Sequence, residues 1–143
     1  MKIKIKKLRD NVKIPKKSTK GSAGFDVFLP GAIGWIYPNE VRKIGLGFAL
    51  EMPEGWECQI RQRSGMSGLY PGYLSNSVGT IDSDYRDEVA ILFWNNSDKK
   101  IRFDSGTKIA QLVFKEVPEV KLSLVKELSD TNRKGGFGST GDK

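Results

Sequence analysis

The 143-residue chain contains no histidine and a single cysteine, Cys58. The missing imidazole excludes Ser-His-Asp and Cys-His catalysis and every metal site that needs a histidine ligand. One cysteine excludes an intrachain disulfide and a zinc centre built from four cysteines, or from paired cysteines and histidines. A bound metal would need oxygen ligands, which suits Mg²⁺, Mn²⁺ or Ca²⁺. Acid–base chemistry falls to Asp, Glu, Lys or Tyr. No run approaches the ~20 apolar residues of a membrane span. The start, Met1 to Lys7, is basic but has no apolar stretch behind it, so it does not read as a secretory signal. No membrane partner is expected, and a lone cysteine without an export signal suits a reducing, cytoplasmic compartment.

What is present in excess is positive charge, with 24 Lys and Arg against 17 Asp and Glu. It is not evenly spread. Residues 1–20 carry nine basic residues and one acid, net +8, and the remaining residues carry 15 and 16, net −1. The excess is an N-terminal feature and not a basic domain face, which weakens any inference to nucleic acid. No aromatic residues interleave with these lysines as they would on a base-stacking platform. The segment reads as a solvated strand that blunts a sheet edge, and no nucleic-acid partner is expected.

Gly (16 residues) and Pro (six) cut the chain into short pieces. Residues 2–8 alternate Lys and apolar, with Ile3 and Ile5 on one face. Residues 44–50 alternate again, with Ile44, Leu46, Phe48 and Leu50 on one side. Residues 56–62 alternate more weakly. Residues 89–94 are apolar on both faces and predict a central, covered strand; residues 109–114 are similar, interrupted by Gln111. The stretches 95–98 and 104–106 are turn chemistry. No window has a sustained helical period, and one short helix at most follows Gly65. Many short strands separated by turns predict a single all-β sandwich or barrel over residues 1–128. From Ser129 onward Phe137 is the only large apolar residue, so residues 129–143 are expected to form a flexible arm.

Five segments carry candidate chemistry, each with a plainer alternative. Gly136 to Gly141 matches GxGxxG, but the chain lacks the strand before it and the helix after it that a dinucleotide fold requires. What survives is a set of backbone N–H groups, Ser139 and Thr140 hydroxyls and the Arg133 cation, all suited to phosphate; a disordered Gly-rich tail fits equally. Arg63-Ser64-Gly65 offers a guanidinium, a hydroxyl and open backbone, or is a turn with a surface Arg. Asp82 and Asp84 would face the same way on a strand, beside Tyr85; alternatively they form a solvated loop paired to Arg86. Asp26 after Gly24 would hold a metal directly or through water, or is a turn aspartate. Gln111 inside an apolar strand must find partners, as a core linchpin or a ligand contact.

Taken together, Ala23 to Val27, Arg63 to Gly65, Gly79 to Arg86, Gly106 to Leu112 and Arg133 to Gly141 resemble, in order and spacing, the five motifs of the trimeric dUTPase family. The resemblance covers essentially the whole chain. It implies a dUTPase-like, jelly-roll-like β-barrel of the β-clip type, assembled as a homotrimer in which each active site takes residues from all three chains. It implies hydrolysis of dUTP to dUMP and pyrophosphate, which limits uracil in DNA and supplies dUMP for thymidylate synthesis. By the same resemblance Asp82 is the catalytic base. Asp26 steadies a Mg²⁺ through water. Arg63, Ser64, Gly65 and Gln111 serve the phosphates. Asn76 and the backbone of Gly79, Thr80 and Ile81 read uracil in a hairpin pocket, and Tyr85 packs under the deoxyribose. Phe137 stacks on the base, while Arg133, Gly138, Ser139 and Thr140 belong to the arm that covers the γ-phosphate. Three alternatives compete: a dUTPase-fold protein that binds a partner in response to nucleotide, a dCTP deaminase, and a structural jelly-roll protein without a nucleotide site. Three departures from the family pattern stand out. Asp87 replaces a frequent Gly, which predicts a different exit from the third motif. Lys108 replaces a frequent Arg, a conservative change if it forms only a surface pair. The Arg133–Phe137 spacing is one residue short.

Overall fold

The computed structural model describes residues 2–132 and residue 135. Eleven strands and one short helix run in the order β1 (Lys4–Lys7), β2 (Phe25–Phe28), β3 (Ile33–Ile36), β4 (Val41–Gly45), β5 (Phe48–Glu51), β6 (Trp56–Arg61), α1 (Ser64–Leu69), β7 (Tyr73–Leu74), β8 (Gly79–Ile81), β9 (Ala90–Trp94), β10 (Ile101–Phe103) and β11 (Lys108–Glu116). All pairings are antiparallel. The largest sheet has the order β2-β11-β6-β8; a second is β4-β9-β7, and two strand pairs, β1-β5 and β10-β3, complete the barrel. The all-β expectation is met; the one short helix allowed for after Gly65 is present and starts slightly earlier, at Ser64. No helix among the described residues is long and apolar enough to cross a membrane.

Alternating residues of the four sheets fill one core, in which Phe48, Phe93 and Phe103 are fully buried. Phe93 and Phe103 meet edge to face at 5.0 Å, and Tyr70, just beyond α1, leans on Phe103 at 4.6 Å. Met66 is the buried residue of α1. Truncating Phe93 to Ala would cost about 3–5 kcal/mol in such packing. β11 and β9 are each central in their sheets, as their two-sided apolar runs suggest. In β9 the second face (Ala90, Leu92, Trp94) is only half-buried within one chain.

One expectation needs correction. The alternating run 44–50 is not one strand: β4 pairs with β9, and β5 pairs with β1. The break falls at Gly47, whose φ of 77° turns the chain. There Gly47 N donates to Glu88 Oε1 at 2.7 Å, and Leu8 N donates to Gly47 O at 2.8 Å. The alternation persists because both strands line the same core. At Asp87, where a frequent Gly is replaced, the backbone is not in the left-handed region: among the described residues Asn39 is the one non-glycine with positive φ.

Asn95 is a buried polar linchpin at the 95–98 turn. Its Nδ2 donates to Ile36 O at 3.0 Å and Lys99 O at 2.8 Å, and its Oδ1 accepts from Ser97 N and Oγ. Regular structure ends at Glu116. Beyond it, residues 117–132 form no strand or helix, and Val120, Leu122 and Leu124 are 70%, 96% and 103% exposed.

Candidate active site

The Asp26 carboxylate lies on the sheet edge strand β2 and is only 8% exposed. A buried carboxylate needs compensation. Arg63 Nε donates to Oδ1 at 2.8 Å, while Lys108 Nζ and Ser18 Oγ reach Oδ2 at 2.8 and 2.7 Å. Burial raises the Asp26 pKa, but the hydrogen bonds from Lys108, Ser18 and Arg63, with the Arg63 charge, outweigh it and bring it down to about 2. Arg63 is also fixed by a 3.2 Å bond from Nη1 to Lys108 O. Lys108 is therefore more than a surface residue: its half-exposed side chain is bonded to the central carboxylate of the cluster.

Gln111 sits opposite Asp26 on one side and Arg61 on the other. Its Nε2 donates to Gln62 O at 3.1 Å, just before Arg63. A Cβ on Gly24 would stand 2.2 Å from Gln111 Oε1, so the first and fourth motif segments interlock through a missing side chain. Gln111 thus acts as a brace for the segment that carries Arg63. Ser64 and Gly65 are exposed in the first turn of α1, where no side chain caps the helix.

Sequence reasoning missed Gln62 and Ser18. Gln62 Nε2 reaches Ser67 Oγ and Gly72 O at 3.1 and 3.2 Å, and its Oε1 accepts from Leu74 N at 3.2 Å, tying β6 to α1 and β7. The signal available was a Gln between a strand and Arg63, with nothing in sequence to distinguish it from a surface residue. Ser18 lies in a stretch whose one conspicuous sequence feature is its charge.

The third-motif residues gather elsewhere. Thr80, Ile81, Asp82 and Tyr85 line a pocket of ≈ 350 Å³ together with Lys43 and Val89 to Leu92. The Tyr85 hydroxyl donates to Glu88 O at 3.1 Å, which fixes the ring. β8 ends at Ile81, so Asp82 and Asp84 lie in a turn closed by Tyr85 N to Asp82 O at 3.2 Å, and strand alternation does not apply to them. Arg86 donates to the backbone of Ser83 and Tyr85 rather than pairing with either carboxylate. Asp82 is exposed and makes no side-chain bond or ion pair to a described residue. The strands on either side of Asn76, β7 and β8, belong to different sheets and do not pair as a hairpin. Asn76 is not among the residues lining this pocket; its amide lies against buried Gly79, where a Cβ would meet Asn76 Nδ2 at 3.2 Å and Ile60 at 2.6 Å.

The two groups of residues are separated in one chain. Asp26 is on β2 and Asp82 follows β8, at opposite edges of a four-stranded sheet. Three strand spacings amount to about 14 Å. Arg133, Phe137, Gly138, Ser139 and Thr140 lie outside the described residues.

Among solved structures, the chain resembles the Staphylococcus bacteriophage 80alpha dUTPase G164S mutant with dUpNHpp, with TM-score 0.88, 26% identity and 98% of each chain covered. It also resembles the dUTPase of phage phi11 of S. aureus, with TM-score 0.83 and 22% identity over 91% of this chain and 100% of that one. The fold is that of the dUTPases. Sequence comparison carries this further. The family described as dUTPase matches residues 10–141. The deoxyuridine 5'-triphosphate nucleotidohydrolase of Hydrogenobaculum sp. (strain Y04AAS1) is 44% identical over 144 residues, covering 100% of both chains. That of Nautilia profundicola is 45% identical over 99% of both. The chain belongs to the dUTPase family.

Proposed function

We propose that this chain hydrolyses dUTP to dUMP and pyrophosphate, with Asp82 as the general base for a water that attacks the α-phosphorus. Family membership supports the reaction. The observation that supports the role of Asp82 is its setting: an exposed carboxylate, unengaged by any described side chain, lining the Tyr85 pocket. Such a group is free to orient and deprotonate water.

Arg63, Ser64 and Gly65 bind the phosphates in this reading, and Gln111 keeps that segment in place. Asn76 and the backbone of Gly79 to Ile81 read the uracil edge. Cytosine would present the wrong donor and acceptor at ring position 4 and leave pocket groups unpaired. The thymine methyl would collide with close-fitting backbone, and a ribose 2′-hydroxyl with Tyr85.

Among the described residues no three metal-ligating side chains cluster, so a caged metal does not fit. A Mg²⁺ brought by the triphosphate, keeping its waters, does fit. A carboxylate has about four lone-pair sites. Asp26 uses three of them on Arg63, Lys108 and Ser18, and one remains for a metal-bound water. Bound there, the ion would neutralise charge and fix the phosphate chain.

We place the complete site between chains of a homotrimer. The Asp26–Arg63 cluster and Asp82 lie at opposite sheet edges, and a second copy would bring its Asp82 pocket to the first copy's cluster. The single chain also leaves apolar surface uncovered: Leu122 and Leu124 beyond β11, and a groove of ≈ 590 Å³ lined by Ile3, Ile5, Ile14, Phe25, Trp56 and Phe114. Arm residues 129–143 close over a site, with Phe137 on the base and Arg133, Gly138, Ser139 and Thr140 at the γ-phosphate. The reaction limits uracil in DNA and supplies dUMP in the cytoplasm.

The test is product analysis with Mg²⁺ and, separately, dUTP, dCTP, dTTP and UTP. Pyrophosphate and dUMP from dUTP alone, lost in Asp82→Asn, are expected. Ammonia from dCTP, or no product from any nucleotide, would overturn the proposal.

A further inference from the structure

The N-terminal charge of +8 has two different fates in the fold. On and just after β1 it is partly offset: Lys4 pairs with Glu51 and Arg9 with Glu88, each at 2.6 Å, while Lys6 and Lys7 make no ion pair among the described residues. Further on, Lys13, Lys16 and Lys17 make no ion pair among the described residues.

This second stretch is docked on the Asp26 strand. Lys16 and Asp26 exchange backbone hydrogen bonds at 3.2 and 2.8 Å. Residues opposed in this way present their side chains to the same face. Ser18, two residues on, bonds the Asp26 carboxylate at 2.7 Å, as that alternation requires. Lys17 goes to the other face, with Nζ 5.3 Å from the Phe25 ring. On the Asp26 face, Phe28 carries two further cations over its ring, Lys13 Nζ at 5.8 Å and Lys108 Nζ at 6.0 Å.

One face of β2 therefore gathers Lys13, Lys16, Lys108 and Arg63. Asp26 is the carboxylate bonded among them, in the described residues. Four cations against one anion leave a local excess that a polyphosphate complements. Concentrated charge beside a binding site raises the local concentration and association rate of an oppositely charged ligand.

We propose that Lys13 and Lys16 extend the phosphate side of the site into a capture surface for the triphosphate, delivering it to Arg63. The inference rests on the dUTP-hydrolase reading for its natural ligand. Lys13 and Lys16 lie outside the five motif segments and act on capture, not on the chemical step.

The experiment compares Lys13→Gln/Lys16→Gln with Lys4→Gln/Lys6→Gln, which removes the same charge from β1, and with Lys13→Arg/Lys16→Arg, which keeps it. Steady-state hydrolysis of dUTP is measured at low and at about 0.15 M salt, where screening shortens the reach of such a field to about 8 Å. Binding of inorganic tripolyphosphate by calorimetry is measured in parallel. The Lys13/Lys16 glutamine pair is expected to lower kcat/KM and tripolyphosphate affinity by about tenfold at low salt, through KM with kcat unchanged, and the gap closes as salt rises. The β1 pair and the arginine pair should stay within about twofold of the parent in both assays. Equal losses in the two glutamine pairs, or a loss carried by kcat, would overturn the capture surface while leaving the hydrolase reading intact. A parent that binds tripolyphosphate with the expected difference but releases no pyrophosphate from dUTP would retain the surface and overturn the hydrolase reading.

Discussion

Lys108 Nζ stands 2.8 Å from Asp26 Oδ2, while Arg63 Nε holds the other oxygen of the same carboxylate at 2.8 Å. Asp26 thus joins the second and fourth motif segments through opposite ends of one side chain. Removing Lys108 takes away one of the bonds that depress the Asp26 pKa. Lys108→Ala is expected to raise that pKa and to loosen Arg63, cutting kcat/KM about tenfold, with Lys108→Arg close to the parent. Steady-state kinetics of the two variants check this.

The same cluster sets an acid limit. The folded pKa of Asp26, about 2, lies below the ordinary carboxylate value of 3.8. Depression in the folded state means the stabilisation is fully present above about pH 4. It is lost as pH falls through about 2. A shift of this size is worth roughly 2 kcal/mol. Asp26→Asn should therefore be destabilised at pH 7 and show a flatter loss of stability between pH 4 and 2. Urea melts across that range provide the comparison, and parallel curves for the two proteins would contradict it.

Gly24 and Gln111 form a lock with no spare room. Gly24→Ala would place a methyl 2.2 Å from Gln111 Oε1. The amide must leave its bond to Gln62 O, so the Arg63 segment loses its brace. A stability loss of about 1–3 kcal/mol is expected from overpacking, with a fall in kcat/KM that Gln111→Ala reproduces. Retention of full activity in Gly24→Ala would contradict the bracing role.

Much of this fold is legible in sequence because short apolar alternations, Gly and turn residues report burial directly. The β1 alternation and the central runs of β9 and β11 follow from that signal, whereas the short helix at Ser64 to Leu69 has no helical period to announce it. Alternation does not reveal that residues 44–50 divide between two sheets, since both halves line one core. Nor does it distinguish the Asp82–Asp84 turn from a strand face. The motif segments Asp26, Arg63 and Gln111 do converge, and Lys108, Ser18 and Gln62 join them through contacts that no local pattern announces. The antiparallel register of β2, β11 and β6 brings Lys108 and Gln62 to Asp26 and Gln111, and the Lys16–Asp26 bridge brings Ser18.

Asn95 offers a stability test away from the site. Its amide donates to two carbonyls, Ile36 O and Lys99 O, from a fully buried position. Asn95→Asp would turn a carboxylate toward both acceptors and lose both bonds. A loss of about 3 kcal/mol or more is expected at neutral pH. Thermal melts check it, and a melting temperature equal to the parent's would contradict it.

Cys58 is buried, and burial, with the Glu57 charge adding to it, pushes its thiol pKa up to about 12. The thiolate is the reactive form. Alkylation by iodoacetamide at about pH 8 is expected to be undetectable in the folded protein and rapid in denaturant. Fast modification of the native protein would contradict the packing of β6.

In the proposed site, two half-sites meet between chains. Arg63→Ala and Asp82→Asn should each be inactive alone. Mixed by co-refolding, a trimer combines an intact Arg63 from one chain with an intact Asp82 from another, and random assortment restores about a quarter of the parent activity. Recovery at that level is the predicted result. Mixed assemblies that form and stay inactive would contradict a site shared between chains.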